Sequence, residues 1–277
     1  NQVIDYYHET LKRSPEALAY LEKRGLKSSE MVERFKLGYA NRTLGYRLPE
    51  KHRKAGADLR GRLTELGIFR TTGHEHFAGS IVIATLDEHG NAQEVYGRKL
   101  LDNLREGTPK HLYLKGGHKG VWNVVAFASS KDVILCEAHI DALTFWCAGY
   151  RNVTTSYGAQ GFTADHLAAF AKYGTERVLV AYDRDESGDK GVAAVTPRLA
   201  AAGIDVYRVL FPRDMDANDY ARSVHRGAGE DGQVTPVSEA LGLLLRSAQF
   251  GVKGKHSMAP SVAVAAPTPA AAAEPPQ

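Results

Sequence analysis

Apolar and polar positions change rhythm twice along this chain. Up to residue 70 the apolar residues recur at helical spacing. Ala17, Leu18 and Leu21 share one face of a segment that opens at Ser14-Pro15 and stops at Gly25, an N-cap with Pro in the first turn and a glycine exit. A second short helix is predicted from Ser29 to about Phe35, before LGYA, and one or two more within the Arg/Lys-rich stretch 42–70, whose cations read as a solvated face. From Ser80 the period shortens. SIVIATLD, the turn EHGN and AQEVYGRKL predict an apolar β-hairpin. The segment TPKHLYLKGGHKGVWN then reads as loops, with Gly116-Gly117 free to bend or to approach a ligand closely.

The second change comes at Asp132, where strands and helices begin to alternate. DVILCE, NVTTS, RVLVAYD and DVYRVLF read as four short apolar strands. They are separated by helices in HIDALTFWCAG, TADHLAAFAKYG and SGDKGVAAVTPRLAAAG, the last carrying Pro197 as a candidate kink. ANDYARSV and VSEALGLLLRSAQF read as two further helices. Strands spaced in this way imply right-handed βαβ units and an α/β fold, a parallel sheet flanked by helices on both faces. A smaller α+β unit precedes it. The expected divisions are residues 1–127, 128–228, a helical extension over 229–257 and an Ala/Pro-rich linker or disordered tail over 258–277.

Composition adds a division of charge. The 277 residues are 43% apolar, enough for a substantial core and two domains. Lys and Arg number 21 against 15 Asp and Glu over residues 1–127, and 14 against 17 over 128–277. A basic part joined to an acidic part suits a protein that holds polyanions on one side and metal on the other. Cys136 and Cys147 alone make neither a zinc knuckle nor a disulfide framework. With no signal peptide and no apolar span of membrane length, a cytoplasmic protein without a membrane partner is expected. Starting at Asn1 and not at Met, the sequence reads as an excerpt. No GxxxxGK[ST] occurs, so no motor of the P-loop type is encoded.

Candidate chemistry sits at the strand ends, because ligands of open parallel sheets bind beyond the carboxyl edge. The first strand ends in Glu137, with Asp141 one turn into the following helix. The third ends in Asp183 and Asp185. The fourth is followed by Asp214, Asp216 and Asp219. A lone DxD reads equally as a turn or a helix N-cap, but carboxylates delivered by three strands to one edge repel one another unless a cation lies between them. All-oxygen donors favour Mg²⁺ or Mn²⁺ over Zn²⁺. His74, His76, His118 and His139 lack paired metal-ligand spacing. Trp122 and Trp146 read as core, and Cys136 as a small apolar residue pointing away from the edge.

Glu137 in ILCEAHIDAL with Asp183 and Asp185 in DRDESG resembles the TOPRIM signature, and DMDANDYA, with Asp216 and Asn218, looks like the third acidic motif of its primase-type members. Upstream, ALAYLEKRGL with RFKLGYA is similar to the start of the RNA-polymerase-like core of bacterial DnaG-type primases. VYGRKLL, TPKHLYLKG and HKGVWN look like that core's cationic segments, placing Arg98, Lys110 and Lys119 at the matching positions. The resemblance runs in order from about Asp5 to Val224. It departs from the pattern at FAGSIVIAT, where Ala78 and Ser80 stand in place of an Arg-rich entry to the hairpin. The zinc ribbon that usually precedes the core, and with it any zinc cofactor, has no counterpart in the sequence, and neither does a helicase-docking domain.

The resemblance implies a primase basic subdomain over 1–127, a TOPRIM domain over 128–228, and template-directed RNA primer synthesis. Its partners would be a single-stranded DNA template, nucleoside triphosphates and a replicative helicase. Glu137, Asp183 and Asp185 would be catalytic, metal would be held by these with Asp216 and Asp141, and Arg98, Lys110 and Lys119 would hold nucleic acid or triphosphate. For Glu137 the roles of metal ligand and general base stay open, and each cation alone reads as well as an ordinary surface charge. Two other readings use the same acidic set: a TOPRIM nuclease, and a non-catalytic nucleic-acid-binding module of a replication or mobile-element protein. A topoisomerase is excluded by the lack of room for its nucleophilic-tyrosine domain.

Overall fold

The computed structural model describes residues 1–226 and 236–254. The chain opens with three helices, α1 (Gln2–Lys12), α2 (Pro15–Lys23) and α3 (Ser29–Arg34). Ser14 holds the N-cap position of α2 with Pro15 in the first turn, but its hydroxyl donates back to Thr10 O at 2.7 Å and does not cap the helix, whereas Ser28 Oγ caps α3 by accepting from Met31 N at 3.1 Å. Strand β1 (Gly38–Ala40) leads through a 3-10 turn at Leu44–Arg47 into α4 (Lys54–Glu65), whose cationic face is solvated. The hairpin β2 (Ser80–Leu86) and β3 (Ala92–Lys99) follows, and then β4 (His111–Tyr113). These strands form an antiparallel sheet in the order β1-β2-β3-β4. Strands β1 and β4 lie in segments whose three-residue length gave no legible alternation, so only the central hairpin had been predicted.

The second sheet begins with β5 (Asp132–Cys136). It continues through α5 (His139–Cys147), β6 (Val153–Thr155), α6 (Ala164–Tyr173), β7 (Arg177–Ala181), α7 (Glu186–Ala201) and β8 (Asp205–Arg208) to α8 (Ala217–Arg226). Its order is β6-β5-β7-β8-β9, parallel through β8. The helix expected over 237–250 is shorter: α9 spans Val237–Arg246, and Gln249–Val252 forms β9, antiparallel to β8 along the sheet's edge. Phe250 meets Tyr207 there at 5.4 Å between ring centroids, a cross-strand contact that a helix would not provide. Pro197 lies inside α7 without ending it. The tail expected over 258–277 lies outside the described residues, as do positions 229–235 and 255–257 of the extension expected over 229–257. No helix among the described residues is long and apolar enough to cross a membrane.

Helix α5 explains how the two sheets are held together. Eight of its nine residues, His139 through Trp146, are buried, so it has no solvated face. On one side it covers β5 and β7 through Ile134, Cys136 and Ala181. On the other it joins Leu11, Leu21, Phe35 and Tyr96 in one continuous core. Phe35 sits between both tryptophans, 4.3 Å from Trp122 and 5.2 Å from Trp146, and each such aromatic pair adds about 0.5–1.5 kcal/mol beyond its buried area. A separate core of Val133, Leu135, Phe170, Val178 and Leu199 packs α6 and α7 onto the opposite face of the sheet.

Candidate active site

Strands β5, β7 and β8 deliver acidic residues to one edge. Glu137 follows β5 directly, its backbone carbonyl accepting from Gly158 N at 2.8 Å and Thr155 Oγ1 at 3.0 Å. Asp183 and Asp185 follow β7, and Arg184 between them ties this loop to the next. Arg184 N donates to Met215 O at 3.3 Å, Arg184 O accepts from Asp214 N at 3.2 Å, and the guanidinium donates to Phe211 O at 2.9 Å. The acidic segment after β8 is thereby fastened beside the one after β7. Asp185 caps α7, its Oδ1 accepting from Gly188 N at 2.7 Å, and Asp216 caps α8 by accepting from Asp219 N at 2.6 Å. A Cβ on Gly188 would lie 2.1 Å from the carbonyl oxygen of Asp183, so only glycine lets the first turn of α7 close over the loop. Asp141, 3% exposed, accepts from Asn218 N at 3.1 Å.

The carboxylates are electrostatically uncomfortable together. Burial pushes the pKa of Asp183 up to about 7, with further repulsion from Glu137, Asp216 and Asp185. Glu137 is raised by burial and then by Asp185, offset in part by the backbone amides of Ala159 and Asp183. Asp141 is pushed well above the usual carboxylate range by burial, then by Asp216 and Asp183. Asp216 is raised by burial, while Arg24 and Arg98 pull the other way. Cys136 had been expected to point away from this group. Burial raises its thiol pKa, and Asp141, Asp183 and Asp216 raise it further, because it faces the layer of α5 and α8 from which Asp141 and Asp216 come.

Cations meet this edge from the antiparallel sheet and from α2. Arg98 on β3 pairs across the sheet with His111 on β4. Lys110 is ion-paired with Asp102, and burial, then Arg98, Lys110 and Arg24, lower the pKa of His111. Lys119 is exposed, and its side chain makes no hydrogen bond or ion pair among the described residues; only its carbonyl is engaged, by Tyr157 Oη at 3.4 Å. Arg98 and Lys110 therefore stand together beside His111. Sequence reasoning had passed over Arg24, Arg184 and Arg208. Arg24 Nη1 donates to Asn218 Oδ1 at 3.1 Å, and Asn218 Nδ2 returns to Arg24 O at 2.8 Å and to Thr144 Oγ1 at 2.9 Å, clipping the end of α2 to the start of α8. Arg208 Nη2 donates to Asp183 O at 2.9 Å and to Asp189 Oδ1 at 3.1 Å. Only the D-R-D spacing could have pointed to Arg184; the other two depend on tertiary contacts.

This edge suits a hard divalent cation. Its donors are all carboxylate oxygens, Glu137 Oε2 is buried without a hydrogen-bond partner among the described residues, and the carboxylates hold one another's pKa values up. As they stand, no three or more His, Cys, Asp or Glu side chains among the described residues are grouped so that they could hold an ion. Two of the carboxylates are instead occupied through one oxygen as helix caps.

Two family models match the chain: the N-terminal domain of the DNA primase catalytic core over residues 6–115, and a Toprim-like domain over 134–221. The chain carries a DnaG-type primase catalytic core. The DNA primase of Aquifex aeolicus is 26% identical over 232 residues, covering 80% of this chain and 45% of that protein. The solved zinc-binding and RNA polymerase domains of the Aquifex aeolicus primase superpose on this core with a TM-score of 0.70 at 25% identity, covering 89% of this chain and 59% of that one. A DnaG primase catalytic domain bound to single-stranded DNA shares the fold, with a TM-score of 0.69 at 21% identity over 90% of this chain and 79% of its own. This core spans less than half the length of the curated primases of Aquifex aeolicus and Chlamydia pneumoniae.

Proposed function

We propose that this core synthesises short RNA primers on single-stranded DNA by metal-dependent nucleotidyl transfer from nucleoside triphosphates. The observation that carries this reading is the convergence of mutually repelling carboxylates from three strand ends opposite Arg24, Arg98 and Lys110, in a chain built as a primase core. Glu137, Asp183 and Asp185, with Asp216 and Asp141 behind them, would hold Mg²⁺ or Mn²⁺. When bound, the metal supplies charge stabilisation for the attacking and leaving oxygens of an in-line displacement.

The side chains position and neutralise; phosphoryl transfer of this kind needs no side-chain nucleophile. Arg98 and Lys110 hold triphosphate or template phosphates by charge, and Lys119 extends that contact at the periphery, giving binding that weakens with salt and reads little sequence. Arg184 and Gly188 fix the loop that carries Asp183 and Asp185. Asn218 keeps Arg24 beside Asp216. Single-stranded DNA as template is supported by the DnaG catalytic domain captured with that ligand. A replicative helicase as partner, and residence in the cytoplasm, belong to the same reading.

The test is incubation of the chain, alone and extended upstream, with single-stranded DNA, labelled ribonucleotides and Mg²⁺ or Mn²⁺. Short labelled oligonucleotides are expected from at least the extended form, and Asp183→Ala should lower their yield on the order of 10²–10³-fold with the fold intact. Strand cleavage without synthesis would move the assignment to a nuclease. Binding of single strands without either reaction would leave a binding module.

A further inference from the structure

His139 takes no part in the chemistry above, yet it opens α5 between Glu137 and Asp141. Its ring is 0% exposed, and neither nitrogen has a hydrogen-bond partner among the described residues. Burial holds it neutral, with its pKa lowered to about 3. An imidazole buried in this way forgoes hydrogen bonds at a cost of about 1–3 kcal/mol, so its use here lies in its flat ring. That ring stacks on Tyr96, 4.5 Å between centroids and 13° from parallel, with the edge of Trp122 at 6.0 Å.

Tyr96 lies two residues before Arg98 on β3, so both side chains share one face of the antiparallel sheet. Tyr96 Oη lies 2.9 Å from His111 Nδ1, and Arg98 Nη1 is hydrogen-bonded to His111 Nε2. A guanidinium only donates. The same Arg98 Nη1 lies 3.5 Å from His111 Nδ1, so the closer Nε2 contact assigns the lone pair to Nε2 and leaves the Nδ1 proton to Tyr96 Oη. His111 keeps one exposed face, but partial burial and the neighbouring Arg98 lower its pKa to about 4, which keeps this neutral tautomer in place. A continuous series of contacts thus runs from the first acidic segment, through His139, Tyr96 and His111, to the guanidinium that acts on Asp216.

We propose that His139 is a positioning residue: seated on Tyr96, its ring sets the alignment of Tyr96 and His111 that aims Arg98 at a nucleoside triphosphate on the carboxylate edge. This rests on the reading that Arg98 binds the triphosphate. The brace crosses from one sheet to the other, so it registers the cationic side against the acidic side where α5 begins.

The test measures binding of a non-hydrolysable ribonucleoside triphosphate with Mg²⁺ to the full chain by calorimetry, alongside thermal melting. Arg98→Ala should weaken binding about tenfold or more. His139→Ala should weaken it severalfold, His139→Phe should restore it to within about twofold, and Arg98→Ala/His139→Ala should bind no more weakly than Arg98→Ala alone. Tyr96→Phe, which keeps the stack and removes only the hydroxyl, should also weaken binding and keeps the test decisive if His139→Ala does not fold. Wild-type affinity in Tyr96→Phe, failure of His139→Phe to restore binding, or additive losses in the double variant would overturn the brace while leaving Arg98 as a ligand. Unchanged binding in Arg98→Ala would overturn the brace and the assigned role of Arg98 together.

Discussion

The two sides of the candidate site are held in opposite ways. On the acidic side three of the five carboxylates are anchored by backbone amides: Asp185 and Asp216 cap helices and Asp141 takes the amide of Asn218, while Arg184 laces the loops after β7 and β8 together. Arg24, Arg98 and Arg208 offset the crowding only in part, and burial with mutual repulsion still holds the pKa values of Glu137, Asp141, Asp183 and Asp216 up. On the cationic side the charges rest on side chains, with Arg98 on His111, Lys110 on Asp102 and Arg24 on Asn218. The acidic side is rigid in position and frustrated in charge, as suits a partner that must be a cation. On the cationic side Lys110 is ion-paired, Arg24 reaches Asp219 only at 3.9 Å and Arg98 rests on a neutral imidazole, so much of the charge stays available to a polyanion.

Removing the frustration should produce the largest effect. Asp183 titrates near 7 in the fold against an ordinary 3.8, so between those values the native state holds a proton that the unfolded chain has released. Stability from this group is therefore fully present below about pH 4 and is lost as pH rises toward 7. Adding Mg²⁺ or Mn²⁺ at a hundredfold excess over Kd should raise Tm by roughly 5–10 °C, more at pH 8 than at pH 5, as followed by thermal melting. In the same melts Asp183→Asn should flatten the pH slope seen without metal and lose most of the Tm rise seen with it. A metal response equal at both pH values would remove the contrast between the two sides.

Gly188→Ala should cost about 1–3 kcal/mol in denaturant unfolding, because the new methyl meets the Asp183 carbonyl, and it should lower primer yield beyond what the lost stability explains. Asn218→Ala leaves Thr144, Arg24 and the head of α8 without their shared amide, an expected loss of about 1–3 kcal/mol. The smallest effect belongs to Lys119→Ala: stability within about 0.5 kcal/mol of wild type, and a slope of log affinity for single-stranded DNA against log salt reduced by about one. A large stability change there would mean that Lys119 belongs to the scaffold.

The sequence made the acidic side far more legible than the cationic one. Strand ends in a βαβ succession point the same way, so Glu137, Asp183 and Asp216 could be assigned to one edge from spacing alone. Arg24 and Arg208 offered no such rule. Their places depend on where α2 meets α8 and where β8 meets α7, contacts that no local period encodes. The strands β1, β4 and β9 escaped for the related reason that three or four residues carry too little alternation to separate strand from loop or helix. Lys119 shows the converse hazard: a position matched by resemblance whose exposed side chain makes no hydrogen bond or ion pair among the described residues.

Helix α5 also bears on how the molecule folds. Because it is buried against both sheets, neither can be released while it remains in place, and its amides should exchange with solvent only when the whole described structure opens. Cutting the chain between residues 127 and 128 would strand Leu21, Phe35 and Trp122 on one fragment and the helix that shelters them on the other. The charge boundary in the sequence is therefore not a seam along which the protein can be divided into two independently folding halves.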